Sequence, residues 1–279
     1  MGRAKDIIVK VIPAKIANEF VKKHHYSGKV VNNSSLHFGA FLENKLHGVM
    51  SFGSPLDKRK VLPLVQPSLW NEMLELNRMA FDDYLPKNSE SRCIAVAIRL
   101  LKKNAPHIKW ILSFSDGTQC GDGAIYRAAG FVLTGIVENS NTCQLKTGEV
   151  IHKMTLESNP TQARVELGGK SYYQLTGGKY NFSKYVSFVN GRILIGFQLR
   201  YICLIDKTCK ITVPILPFSK IDELGAGMYK GEKITLAERR KNAAVAHKGE
   251  RQDTNQEGAF DSTSPLHLTT EKLPDGKEG

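Results

Sequence analysis

The chain has 279 residues, 41% hydrophobic and 24% charged. That is the balance of a globular protein able to bury a full core, as one large domain or one domain with extensions. Thirty-nine Lys and Arg against 27 Asp and Glu leave a formal charge of +12. Such an excess points to a polyanionic partner, nucleic acid first and an anionic membrane second, and otherwise to a merely basic surface. The five cysteines (Cys93, Cys120, Cys143, Cys203, Cys209) are odd in number and form neither a CxxC pair nor a zinc spacing. They read as reduced thiols and exclude a disulfide framework. MGRAKDIIVKVIP has no signal-type apolar region, no apolar run reaches membrane-spanning length, and Asp6 breaks the myristoylation pattern that Gly2 would begin. The expectation is a soluble intracellular protein.

In chain order, IIVKVIP (7–13) predicts a short strand, and Ala14 to His25 a one-faced helix with Ile16, Ala17, Phe20 and Val21 at helical spacing. HFGAFLENKLHGVMSFG (37–53) predicts two strands joined at Glu43–Lys45. Pro55 to Trp70 reads as loop and LELNRMAFD (74–82) as a strand. PKNSESR is a polar turn into the helix ESRCIAVAIRLLKKNA, capped by Ser89 or Ser91 and stopped before Pro106. IKWILSFSD (108–116) is a buried strand by its unbroken apolar run, GTQCGDG a loop, AIYRAAG (124–130) a short helix and FVLTGIVE (131–138) another strand. Hairpins followed by β–α–β crossovers give an α/β (α+β) fold with one mixed sheet and helices on both faces. Between 140 and 218 the runs VIHKMTLE, KYVSFVNGRILIGF, LRYICLI and KITVPIL predict a strand-rich extension. Beyond 231 the apolar content collapses into ERRKNAAVAHKGERQDTNQEG, which predicts a disordered tail.

Four stretches carry residues suited to chemistry. KKHHYSGK (22–29) ends the first helix. Its lysines and Gly28 suit the negative helix end and its C-cap, but His24, His25 and Tyr26 together exceed what a cap needs, so His25 and Tyr26 are candidates. NRMAFDDYLPKNSESR (77–92) ends at a helix N-terminus, where free amides with Ser89, Ser91 and Arg92 suit a phosphate. Arg78, between Leu76, Met79 and Phe81, needs a partner if half-buried: Asp82, Asp83 or a substrate phosphate. SFSDGTQCGDGAIY (113–126) puts Asp116 at the end of a buried strand, where it serves as a base, a metal ligand, an orienting group or an Asx-turn. In GGKSYYQLTGGKYNFSKYVSF (168–188), Lys170, Lys179 and Lys184 interleave with Tyr172, Tyr180 and other rings. That is either a nucleic-acid contact surface or a hairpin with rings on one face.

HHYSGK, LHFGAF, ELNRMAFDD with PKNSESR, SFSDG and AIYRAAGF resemble, in that order, the Mom family of bacteriophage DNA-modification proteins, and PILPFSKIDELGAGMYKG (214–231) is similar to that family's C-terminal portion. The resemblance implies a GNAT-like acyltransferase core over 1–158, a strand-rich basic and aromatic extension over 159–231 that completes the core and contacts DNA, and a tail over 232–279. It also implies conversion of adenine N6 in double-stranded DNA to a carbamoylmethyl derivative that resists host restriction, in the cytoplasm of a bacterial host. Carried over by motif, the residues are Tyr26, Arg78, Asp116 and Tyr126 as catalytic and Ser91 toward the donor, where Ser89 and Arg92 stand beside it at the same helix N-terminus. The donor is acyl-CoA-like or another activated glycyl group. PKNSESR lacks the glycine with which typical acyltransferases cradle the coenzyme pyrophosphate.

The implied mechanism flips adenine onto Tyr26 or Tyr126, lets Asp116 take the N6 proton and lets Arg78 hold a phosphate. DNA contacts fall to Lys170, Tyr172, Lys179, Tyr180 and Lys184. Glycyl transfer would give N6–CO–CH2–NH2, whereas the family's product is N6–CH2–CO–NH2. A redox metal is one helper for that difference, with His25, Tyr26, Asp116 and Tyr126 as oxygen and nitrogen donors suited to iron. The alternatives are an N-acetyltransferase acting on a protein or small amine, and a non-catalytic DNA-binding protein.

Overall fold

The computed structural model describes residues 3–118 and 121–229, and beyond them 232–233 and 238. The chain divides into two units, Met1–Leu236 and Ala237–Gly279; the expected disordered tail lies almost wholly outside the described residues, as does Cys120. The first half follows the expected order: β1 (Ile8–Val11), α1 (Ala14–His24), β2 (Ser34–Leu42), β3 (Lys45–Gly53), α2 (Lys58–Val61), β4 (Val65–Gln66), β5 (Met73–Phe81), α3 (Ser89–Asn104), β6 (Trp110–Asp116), α4 (Ala124–Ala128) and β7 (Val132–Gln144). Then come β8 (Val150–His152), α5 (Lys153–Ser158), α6 (Tyr172–Thr176), α7 (Phe182–Phe188), β9 (Arg192–Leu204), β10 (Lys210–Ile211), α8 (Ser219–Glu223), β11 (Met228–Tyr229) and β12 (Glu232–Lys233).

Eight strands form one mixed sheet in the order β1-β2-β3-β5-β6-β9-β7-β8. Its β2–β3 hairpin turns on Glu43 and Asn44, both at positive φ (51° and 63°), the two-residue turn whose twist matches that of its strands. The β5–β6 pair is parallel and the other ladders are antiparallel, so β5 and β6 need the crossover that α3 supplies. One sheet face packs Phe38, Phe52, Leu76, Ile111 and Tyr201 against Cys93, Ile94, Ala97 and Leu101 of α3. The other receives Ala17 and Val21 of α1 over Val49 and Ala80, and Val61, Leu64 and Val65 over Trp110, Leu112 and Ile202. The mixed sheet with helices on both faces is therefore as expected. Among the described residues no helix is long and apolar enough to cross a membrane.

Two features of β5 position the site. Its parallel register with β6 runs from Met73↔Trp110 to Leu76↔Ser113 and stops, although β5 continues to Phe81 and β6 to Asp116. At that point Asn77 is an extra residue against β3, where Phe52 faces Leu76 and Ser51 faces Arg78. Such a bulge bends and twists its strand. β6 stays paired with β9 to Asp116↔Gln198, so a wedge opens between the C-terminal halves of β5 and β6.

The structure corrects the strand-rich reading of residues 153–190, which form short helices joined by turns. In α7, Tyr185 and Val186 are buried, with Phe182 and Val189 packed beside them; that is i, i+3, i+4, i+7 spacing, a helical period that the β-branched and aromatic composition masked. Ser171 and Gln174 form a reciprocal capping box at the start of α6, a signal legible as S-x-x-Q. The run KYVSFVNGRILIGF divides between α7 and β9, and its RILIGF end continues through LRYICL as one strand, β9. At α3 the N-cap is Asn88, with no side-chain cap bond. Ser89 and Ser91 do not cap: the Ser89 hydroxyl donates to the Pro86 carbonyl and that of Ser91 to the Asn88 carbonyl at 3.2 Å.

Candidate functional site

Along β6, Ile111 packs on the α3 side and Trp110 and Leu112 on the opposite side. Strand alternation therefore sends Asp116 to the face that carries α1. The Tyr26 hydroxyl, just past the end of α1, donates to Asp116 Oδ2 at 3.5 Å. Asp116 Oδ1 accepts from the Thr118 backbone amide at 3.0 Å. The Asx-turn and the functional reading thus use different oxygens of one carboxylate. The Tyr26 ring is 56% exposed and leans on His25, with centroids 4.3 Å apart, so a flat surface stands beside an anchored carboxylate.

His25 serves a different end from the one its position suggests. Its Nε2 lies 3.3 Å from Arg78 Nη1, which can only donate, and its Nδ1 lies 2.8 Å from Ser27 Oγ and accepts from the Ser27 backbone amide at 3.1 Å. Donors thus face both ring nitrogens. Burial, and then the Arg78 charge, push His25 from 6.5 down to about 3, so it stays neutral and braces Arg78. Asp82, one of the three partners open to Arg78 in the sequence, instead bonds His47 Nδ1 at 2.9 Å. The acid that senses Arg78 is Glu75, three positions earlier on the same strand. Burial raises its carboxyl from 4.5 to about 7 and the Arg78 charge opposes this. Glu75 escaped the sequence reading, though an acid in LELNR three residues before an arginine was visible.

Further groups join from elsewhere in the chain. Lys29 Nζ donates to Thr155 Oγ1 of α5 at 3.0 Å, tying the loop after Tyr26 to the helical segment. His152 caps α5 by accepting from the Met154 amide at 3.1 Å through Nδ1; burial lowers its pKa, while the Asp116 charge pulls it up. At the wedge, Asn77 Oδ1 accepts from Ser34 Oγ at 2.8 Å, and its Nδ2 is buried with no hydrogen-bond partner among the described residues. Ser113 Oγ donates to the Leu76 carbonyl at 3.1 Å where the two strands part.

Not every expected residue converges. Tyr126 is 8% exposed and packs with Phe131 and Tyr201 in the core under α3. It lies across the sheet from Tyr26 and Asp116, so it cannot be the base platform. Asp122 accepts from Arg127 at 2.7 Å. Ser89 is buried and turned to its own loop, Ser91 is half-buried, and exposed Arg92 reaches the Lys5 carbonyl at 3.3 Å. Lys170, Lys179, Tyr180 and Lys184 are exposed, but Tyr172 is fully buried, edge-on to Tyr185 at 6.0 Å, and belongs to the core of its segment. The iron set does not fit. Both His25 nitrogens are engaged, one facing a guanidinium, Tyr126 lies across the sheet, and no three His, Cys, Asp or Glu among the described residues converge as a metal site.

The model of the Mom protein family matches residues 6–220. Over 197 residues the chain is 31% identical to the methylcarbamoylase Mom of Escherichia phage Mu, a match that covers 68% of this chain and 78% of the relative. Among solved structures, an IAA acetyltransferase from Bacillus cereus aligns at 11% identity and a TM-score of 0.39, over 71% of this chain and 99% of its own. An N-acetyltransferase from Staphylococcus aureus aligns at 10% identity and a TM-score of 0.39, over 72% and 99%.

Proposed function

Because the chain belongs to the Mom protein family, we propose that it is a DNA-modifying transferase that converts the N6 amine of adenine in phage DNA to its carbamoylmethyl derivative, in the host cytoplasm, and so shields that DNA from restriction. One observation carries this reading: an exposed aromatic ring, Tyr26, stands beside a carboxylate, Asp116, that is already anchored through its other oxygen. Adenine N6 is buried in the duplex stack and its lone pair is delocalised into the ring. The base must be extruded, at a cost of about a few kcal/mol, and received on an aromatic surface. Tyr26 is that surface. Asp116 Oδ2 then accepts the N6 hydrogen.

The balance of the reaction defines the proton's path. The product has an N6–CH2 bond, so N6 forms a bond to the methylene carbon, the donor's leaving group departs with its electron pair, and N6 loses one proton. Asp116 takes that proton as the bond forms. Arg78, braced by neutral His25, holds a DNA or donor phosphate. The donor therefore carries its leaving group on the methylene of a carbamoylmethyl unit, X–CH2–CO–NH2, because an acyl-CoA-like or glycyl group activated at its carbonyl would give N6–CO–CH2–NH2; such a donor would sit in the wedge between β5 and β6. The unpartnered Nδ2 of Asn77 supports this, since a buried amide donor without an acceptor is costly until a ligand supplies one. Ser91 lies on the first turn of α3, which follows the loop 82–88 from the end of β5. The group when bound supplies the activated carbon; the chain's residues orient it and move the proton.

Expression of the full chain in a bacterial host, digestion of the host DNA to nucleosides and mass spectrometry test the reading. A modified adenosine carrying the mass of a carbamoylmethyl group is expected, and its loss in Asp116→Asn with DNA binding retained. Unmodified nucleosides from a host making folded protein that binds DNA would leave a DNA-binding protein instead.

A further inference from the structure

The helical segment between β8 and β9 has a shape that the reaction does not require. α6 and α7 are joined by the turn 177–181, opened by Gly177 and Gly178 at positive φ (68° and 82°). The Asn181 side chain accepts from the Lys184 amide at 2.9 Å and starts α7. The two helices share their own core: Tyr172 and Tyr185 with Leu156, Leu167 and Val186. With Tyr185 and Val186 buried and Phe182 and Val189 packed beside them, the opposite stripe of α7 is Ser183, Lys184, Ser187 and Phe188, all exposed. These lie at i, i+1, i+4 and i+5, one face of one helix. From residue 167 to 205 there are five cations and no carboxylate. Two acids lie nearby: Glu166 is spent inward, bonded to Arg164 and accepting from the Tyr185 hydroxyl at 2.8 Å, and Glu157, felt at Tyr172, pairs with Lys153 at 3.6 Å.

We propose that α7 reads sequence: the α6–turn–α7 pair lays this face into the major groove of duplex DNA beside the target adenine, while Lys170 and Lys179 hold phosphates. The inference rests on the DNA-substrate reading above and adds what selects the site. A helix with its side chains is about 10–12 Å across, and the major groove is about 12 Å wide. Lysine donates to guanine O6 and N7, serine bonds either base type, and an apolar ring meets the thymine methyl. A helix that docked on a protein groove would show an apolar stripe outward, whereas the apolar stripe of α7 faces its own core. Charge points the same way, because residues 168–189 carry Lys170, Lys179 and Lys184, all exposed, and no carboxylate, which matches the phosphate backbone. The Lys29–Thr155 bond links this segment to the loop that carries Tyr26, so a reader here is tied to the extruded base.

The test uses the full chain and a duplex library with one fixed adenine and randomised flanks, sequencing the bound fraction and analysing the same DNA for modified adenosine. Wild type is expected to enrich particular flanking bases. Lys184→Ala and Ser187→Ala should each lose that preference at one position by about tenfold while binding to disfavoured flanks changes little. Lys170→Ala should weaken every sequence alike and reduce the salt slope by about one. Thermal unfolding within a degree or two of wild type would show that these surface variants fold. Equal enrichment of all flanks by wild type, uniform weakening by the α7 variants, or binding unchanged by them would overturn the proposal. Flank reading without modified adenosine would sink the proposed chemistry and leave the reader standing; modification without flank preference would do the reverse.

Discussion

Replacing Glu75 with Gln should stabilise the protein above neutral pH and have little effect in acid. Glu75 is half-buried on β5, and burial holds its carboxyl at about 7 instead of the ordinary 4.5. The folded chain therefore binds this proton more tightly than the unfolded chain, so the contribution of Glu75 is fully present below 4.5 and is lost as pH rises through about 7. At about 1.36 kcal/mol per pH unit, the window is worth at most about 3 kcal/mol. His25 works in the opposite sense. Its folded value of about 3 lies below the ordinary 6.5, so its contribution is present above 6.5 and is lost as pH falls toward 3. Between 4.5 and 6.5 the two slopes oppose each other, and removing one group exposes the other. Urea unfolding of wild type, Glu75→Gln and His25→Gln at pH 5, 6.5 and 8 measures both. The stability of Glu75→Gln relative to wild type should grow by about 2–3 kcal/mol from pH 5 to 8. A difference that does not change with pH would refute the account of a strained, protonated carboxyl beside Arg78.

Asp116→Asn keeps the oxygen that accepts from Thr118 but not the proton acceptor. Single-turnover modification should fall by about 10²–10⁴ with DNA affinity within twofold of wild type; a smaller loss would remove Asp116 from proton transfer. Tyr26→Phe keeps the ring and loses the hydroxyl, which reaches Asp116 Oδ2 at 3.5 Å, so it should cost less than about tenfold, whereas Tyr26→Ala should cost a further 1–3 kcal/mol of stacking in base-extrusion assays. Equal rates in the two variants would end the platform role. Gly53→Ala should lower the unfolding midpoint sharply, by about 1–3 kcal/mol or more, because an added Cβ would sit 1.8 Å from the Asn33 carbonyl oxygen, in backbone that holds the loop after Tyr26. An unchanged midpoint would show that this loop is free to move.

Much of the first half was legible in the chain itself. Apolar residues at a helical period fix α1 and α3, an unbroken apolar run fixes β6, and the Glu43–Asn44 turn closes a hairpin, because each signal is local and acts over a few residues. The pairing of Tyr26 with Asp116 could be named only through motif resemblance, since 90 positions separate them in the chain. Other features answered to no local signal. Whether Arg78 meets Asp82 or His25, and whether Tyr126 faces the site or the core, depends on which side of a strand or helix a residue lands, and that is settled by register and a single bulge at Asn77. The 153–190 segment folded as helices because its rings found one another across two short helices and a turn. A composition rich in aromatic and β-branched residues suits either period until tertiary contacts choose between them. Sequence determined which elements form the sheet; the burial of charge on one face of that sheet, which makes His25 neutral and Glu75 hard to ionise, exists only once the sheet has closed over it.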